Sequence, residues 1–121
     1  MGLPRILRVG IIEVVLDLEH LKPLVQEIAQ KTTNWDELNW LLAEAELRLF
    51  PAYAFHPTAP IIGSLPLRIQ LFPARVVQQP REEQIRSLAW DISQRHLSIQ
   101  DLHYFIAQRK YIFKVIQESH K

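Results

Sequence analysis

Residues 4–31 read PRILRVGIIEVVLDLEHLKPLVQEIAQK, and the fold class depends on how this stretch folds. Its apolar residues recur at alternating intervals of four and three, the heptad spacing of a packed helix. The recurring positions are Leu7, Ile11, Val14, Leu18, Leu21, Val25 and Ile28. Pro4 suits the first turn of a helix, because its missing N–H would be unpaired there in any case. The spacing therefore predicts one long helix over residues 5–31.

The same stretch has an alternative interpretation, a strand over residues 5–16 followed by a helix that begins near Pro23. Gly10 is unfavourable in the interior of a helix, and Pro23 removes a backbone hydrogen bond there. The β-branched residues that favour an extended chain are Ile11, Ile12, Val14 and Val15. We favour the helix, kinked near Pro23, because the heptad spacing continues through about three repeats.

Three further helices are predicted outward from this stretch, over residues 35–49, 81–97 and 99–118. Thr33 and Asp36 approximate the capping box that begins a helix. Ser98 and Asp101 repeat that spacing before the last helix. With the first helix, these elements predict a mainly α fold, a small four-helix domain that covers residues 1–121. A chain of 121 residues is the usual length of one domain.

Residues 51–80 separate the second helix from the third and contain six of the eight prolines. No regular helix spans such a segment, because proline lacks the N–H and clashes with the preceding turn. The segment is nonetheless rich in apolar residues, unlike a polar linker. Between residues 67 and 71, leucine and isoleucine alternate with polar residues, which predicts a short strand. We expect an extended, proline-spaced arm that contains this strand.

The composition excludes several classes of protein. The chain has no cysteine, which excludes disulfide scaffolds, thiolate zinc sites, iron–sulfur clusters and cysteine nucleophiles. A hydrophobic content of 48% with a net charge of +1 excludes wholesale disorder. Glu13 and Asp17 interrupt the first apolar stretch, so we expect no signal peptide. The expected location is cytoplasmic.

The sequence contains no motif that predicts catalysis. The five histidines are His20, His56, His96, His103 and His120, and no two of them are four residues apart. Ser64 follows a glycine but lacks the second glycine of a nucleophile elbow. No glycine-rich phosphate loop occurs. We therefore expect a protein that is not an enzyme, with no cofactor, no metal and no small-molecule substrate.

Three features favour a protein-binding or self-associating subunit. The heptad face of the first helix is longer than a contact between two helices needs. The proline-spaced arm is stiff, so its docking in a partner would cost little entropy. Tryptophans lie beside the predicted apolar stripes, and tryptophan is enriched at the energetic centres of interfaces. We assign the interface to Trp35, Trp40, Leu67, Ile69, Leu71, Phe72 and Trp90.

Two alternatives concern other partners. Cationic and aromatic residues alternate near the C-terminus, where they would neutralise phosphates and stack on unpaired bases of RNA or DNA. These residues are Arg95, Tyr104, Arg109, Lys110, Tyr111 and Lys114. The near-neutral net charge argues against this alternative. Residues 58–77 are apolar and carry only two charges, Arg68 and Arg75, which is compatible with peripheral membrane contact.

Overall fold

A computed structural model describes residues 5–8, 10–52, 67–72 and 79–118. In these residues the chain forms β1 (Arg5–Arg8), β2 (Ile11–Leu16), α1 (Leu18–Lys31), α2 (Trp35–Leu49), β3 (Leu67–Leu71), α3 (Glu82–Ser93) and α4 (Ile99–Glu118). One 3-10 turn, Phe50–Ala52, follows α2. Most described residues are helical, so the predicted mainly α class with four helices is confirmed. The arm residues 53–66 and 73–78 lie outside the described residues.

The predicted continuous helix over residues 5–31 is wrong in its first half. β1 and β2 form an antiparallel hairpin, and α1 begins only at Leu18. Gly10 lies between the two strands with a φ of 81°, in the left-handed region that glycine adopts without strain. Asp17 then begins α1 as its N-cap, because its Oδ1 accepts a hydrogen bond from the backbone N–H of His20 at 3.0 Å. The alternative of one strand over residues 5–16 is correct in predicting an extended chain, but the chain forms two strands that reverse at Gly10, and the helix begins earlier than Pro23.

The three strands form one antiparallel sheet in the order β1-β2-β3. The short strand predicted in the arm is confirmed as β3, which pairs with β2 in a register that places Val14 opposite Ile69. Successive side chains of a strand point to opposite faces, so every second residue faces the core. The core-facing residues of the described sheet are Ile12, Val14, Leu16, Ile69 and Leu71. This face joins the N-terminal part of the chain to a segment far from it in sequence.

α4 is the central helix of the fold. α1 packs against α4, α2 packs against both α3 and α4, and α1 and α2 make little direct contact with each other. One apolar cluster joins the sheet to α1 and to the C-terminal half of α4. A second joins α1, α2, α3 and the first half of α4. Leu24 and Tyr104 pack against both clusters, so the two are continuous.

The connection between the last two helices is longer than the sequence predicts. α3 ends at Ser93 rather than near residue 97. His96 has a φ of 53°, which allows the chain to reverse before α4. Ser98 then accepts a hydrogen bond from the backbone N–H of Asp101 at 3.0 Å, as the predicted cap requires. None of the helices in the described part of the chain is both long and apolar enough to cross a membrane.

Candidate functional site

A groove of about 580 Å³ lies where α1 and α2 both border α4, and we call it the α1/α2/α4 groove. Its apolar lining consists of Leu24, Ile28, Leu41, Ala45, Leu49, Ile106 and Phe113. The groove arises because α1 and α2 pack against α4 and leave space between them. An accessible apolar concavity of this kind is typical of a binding site.

The rim of the groove is charged and polar. Its charged residues are Lys31, Glu37, Glu44, Arg48, Lys110 and Lys114. Arg48 lies 3.8 Å from Glu44, and its guanidinium is 5.9 Å from the ring centre of Phe113. Charged groups around an apolar floor resemble the polar rim of protein interfaces, which surrounds a less polar centre.

The lysines of the rim outnumber their carboxylate partners. Lys31 and Lys110 both lie near Glu27, with Nζ to Oε1 distances of 3.3 and 3.7 Å. The two ammonium groups thus share one carboxylate as their ion-pair partner. Lys114 forms no ion pair with any of the residues that the structure describes. The side of the groove formed by α1 and α4 therefore carries excess positive charge, whereas α2 contributes Glu37, Glu44 and Arg48, the last two of which form an ion pair.

A buried ion pair supports the groove from α4 and α2. The Nε of Arg109 donates a hydrogen bond to Oε2 of Glu46 at 2.6 Å. Nη2 lies 2.6 Å from the same oxygen and interacts through charge rather than an aligned hydrogen bond. Nη1 donates to the carbonyl of Phe105 and to Oε1 of Gln108, both at 3.2 Å. Arg109 is 1% exposed and Glu46 5%, so each neutralises a charge that would otherwise be buried alone.

The sequence analysis missed this pair, although the sequence contains a signal for it. Arg109 is three residues from Ile106 and from Ile112, so it lies on the apolar stripe of α4. Glu46 occupies the same kind of position in α2, between Leu42 and Leu49. An acid and a base on the buried faces of two helices predict a buried pair.

The predicted nucleic-acid surface is not a single accessible surface. Arg109 and Tyr111 are buried, at 1% and 6% exposure, so the assignment of these two residues to phosphate and base contacts is wrong. Tyr104 is half-buried and packs against the core. Arg95 is exposed in the turn before α4, whereas Lys110 and Lys114 line the groove. The interleaved spacing reflected an amphipathic helix rather than a binding surface.

The predicted protein interface is divided between core and surface. Ile69 and Leu71 face the sheet core, so their assignment to a partner contact is wrong. Phe72 is half-buried, and Leu67 lies in β3 opposite Leu16. The heptad spacing does not form one continuous helical face, because it is divided between the strands and α1.

The tryptophans differ in exposure. Trp35 is half-buried and donates its Nε1–H to the carbonyl of Leu97 at 2.8 Å, which ties α2 to the turn before α4. Trp40 is half-buried and packs against the second core cluster. Trp90 is 63% exposed on α3 and does not line the groove. Trp90 is thus a second, separate surface feature that a partner could contact.

Two of the described histidines, His103 and His20, have polar or aromatic partners within the fold. His103 is buried, and its Nε2 lies 2.9 Å from the carbonyl of Thr32. His20 pairs with Asp17 and stacks on Tyr111 at a ring-centre distance of 5.8 Å. In the described ranges, no three His, Asp or Glu side chains cluster closely enough to hold a metal ion.

The two tyrosines of α4 predict a loss of stability at alkaline pH. Burial raises the pKa of the Tyr111 hydroxyl above its ordinary value of 10.0, and the carboxylates of Asp17 and Glu118 raise it further. Burial also raises the pKa of Tyr104, although Gln108 opposes part of that shift. The folded chain therefore keeps these protons to a higher pH than the unfolded chain does. We expect the free energy of unfolding to fall as the pH rises above about 10 and through the folded-state pKa values.

Urea unfolding between about pH 8 and pH 11.5 measures this effect, with tyrosinate absorbance followed in parallel. The control is Tyr111→Phe, which removes the titrating hydroxyl and keeps the ring. Subtracting its pH profile from that of the wild type removes the contribution of lysine titration. Identical slopes in the two profiles above pH 10 would show that the Tyr111 hydroxyl does not contribute.

The chain matches no known family model, no curated protein and no solved structure. The function is therefore argued from the groove itself.

Proposed function

We propose that this protein is a non-catalytic adaptor subunit that binds another protein in the α1/α2/α4 groove. The observation that supports the proposal is the combination of an apolar lining and a charged rim in a groove of about 580 Å³. An apolar floor within a charged rim is the arrangement of protein interfaces, which have a less polar centre and a polar rim. The proposal places the adaptor in the cytoplasm, where its cysteine-free composition fits.

The rim argues for a protein rather than a small molecule as the ligand. Small-molecule sites contain a few polar groups that converge on the ligand. Here the buried guanidinium of Arg109 is already neutralised by Glu46, and Arg48 is occupied by Glu44 and Gln79. The remaining charged groups lie around the rim, where they would contact the flanks of a larger partner.

A comparative capture experiment tests the proposal. The tagged full chain and three variants are exposed to a lysate of the source cells, and bound proteins are identified by mass spectrometry. Ala45→Arg fills the groove from α2, Trp90→Ala alters the separate surface on α3, and Ala29→Arg is a matched control outside the groove lining. We expect at least one protein that binds the wild type, the control and Trp90→Ala but is lost from Ala45→Arg.

Proteins that are lost from Trp90→Ala but still bind Ala45→Arg would show that the interface lies on α3, which would contradict the proposal. Light scattering at low and high salt distinguishes self-association from binding of a foreign partner. A salt-resistant dimer that dissociates in Ala45→Arg would mean that a second copy occupies the groove. The protein would then be a homo-oligomer rather than an adaptor.

A further inference from the structure

We infer that the α1/α2/α4 groove binds an amphipathic helix of about three turns, with acidic residues on the flank that faces the lysines of α4. This inference rests on the proposed function and specifies the chemistry of the partner. It follows from the length of the groove, from the hydrogen-bonding state of its walls and from the placement of charge on its rim.

The groove has the length of a short helix. On α4 its lining extends from Ile106 to Gln117, and on α2 from Glu37 to Leu49. At a rise of 1.5 Å per residue these spans are about 16–18 Å long, which matches about three helical turns, or 10–12 residues. A helix of that length presents one apolar stripe of three or four side chains, which suits a lining that is apolar along its centre.

The walls of the groove favour a helix over an extended peptide. All three walls are helices, whose backbone groups are hydrogen-bonded within each helix except at the ends. An extended peptide needs a strand edge that exchanges backbone hydrogen bonds with it. Against helical walls its N–H and C=O groups would be desolvated without partners. A docking helix satisfies its own backbone and buries only side chains.

The charges of the rim determine the orientation of the partner. Lys114 is unpaired among the described residues, and Lys31 and Lys110 share Glu27. On the opposite side, α2 presents two carboxylates, Glu37 and Glu44, and one guanidinium, Arg48, which lies 3.8 Å from Glu44. A helix with acidic residues along one flank gains more in the orientation that faces the lysines, because reversing it places those residues beside Glu37 and the Glu44–Arg48 pair. Charge complementarity of this kind favours specificity.

A display selection on the full chain tests the inference. The library consists of 14-residue helical peptides with randomised flanks around an apolar stripe at positions i, i+3, i+4 and i+7. We expect the selected peptides to be enriched in Glu and Asp on one flank and to be lost from Ala45→Arg. Lys110→Glu combined with Lys114→Glu should weaken the selected peptides about tenfold or more and shift the selection toward basic flanks. Lys22→Glu, an exposed α1 lysine outside the groove lining, is the matched control and should bind as the wild type does.

Four outcomes overturn the inference. Peptides with basic or uncharged flanks would contradict the assigned charge. Peptides that persist on Ala45→Arg and are lost from Trp90→Ala would place binding on α3. Peptides that bind in an extended form would contradict the helical partner. An absence of enrichment would show that the groove does not accept a helix, including the case in which residues 53–66 of the same chain fill it.

The selection and the capture experiment fail independently. In one case, helices with acidic flanks bind the wild type and not Ala45→Arg, whereas every captured protein still binds Ala45→Arg. That result would support the inference and contradict the adaptor function. In the other case, a captured protein is lost from Ala45→Arg but the selection yields no helix. That result would support the adaptor function and overturn the inference of a helical partner.

Discussion

Replacing Arg109 with methionine is expected to lower the free energy of unfolding by about 3–5 kcal/mol, because it leaves the carboxylate of Glu46 buried without a partner. Arg109 provides two of its three nitrogens to that carboxylate and the third to Phe105 and Gln108. The measurement is urea unfolding at pH 7, with the slope of the transition checked for two-state behaviour.

The matched control is Arg86→Met on α3. Arg86 contacts Glu82 at 2.8 Å, a distance close to that of the buried pair, but its side chain is 69% exposed. Exposed pairs of this kind contribute about 0–1 kcal/mol, so the control should change little. The double variant Glu46→Leu/Arg109→Met should recover much of the loss, since it removes both buried charges. Equal losses in Arg86→Met and Arg109→Met would show that burial does not govern the contribution of the pair.

Leu16→Ala is expected to cost about 2–5 kcal/mol, whereas Leu18→Ala, two residues later, should cost no more than about 0.5 kcal/mol. Leu16 is 0% exposed on the core face of β2, and Leu18 is 48% exposed in the first turn of α1. Both substitutions delete the same atoms, so the difference reports burial alone. Urea unfolding of the two variants side by side measures it.

This pair also distinguishes the two folds that the sequence allowed. A continuous heptad helix places Leu18 on its buried stripe and Leu16 off it. That helix would give the opposite order, with the larger loss in Leu18→Ala. Such a result would contradict the hairpin at residues 5–16.

The hairpin was difficult to predict because part of its stabilisation is non-local. The spacing of Val14, Leu18 and Leu21 fits a heptad, although Val14 lies in a strand and the leucines in a helix. Apolar residues recur every second residue in a strand and every three or four in a helix, and β2 followed by α1 together gave the spacing of one long helix. β2 pairs with β1 beside it in sequence, but its second partner is β3, which lies beyond two helices and a proline-spaced segment. By contrast, the bounds of α2 and α4 were predicted within a residue, because apolar stripes and caps are local signals, although Asn34 rather than the predicted Thr33 caps α2.

The candidate site was less predictable than the fold. Positions such as Ala45 and Phe113 belong to ordinary amphipathic helices, and nothing in their spacing indicates a groove. The groove exists because α1 and α2 pack on α4 with space between them, which depends on tertiary packing. Arg109 was assigned to a nucleic-acid surface because cationic and aromatic residues alternate around it. Its position on the α4 stripe, rather than its charge, indicated burial.

The pairing of β2 with β3 has a consequence for the synthesis of the chain. Val14 and Ile69 are about 55 residues apart, and the same core cluster also needs Ile112 and Val115 of α4. At a translation rate of about 5–20 residues per second, the apolar side of the N-terminal hairpin lacks its α4 partners for about 5–20 s, until α4 has been synthesised. Non-local closure of this kind also slows folding itself. The nascent chain is therefore the form of this protein most open to aggregation and to capture by chaperones.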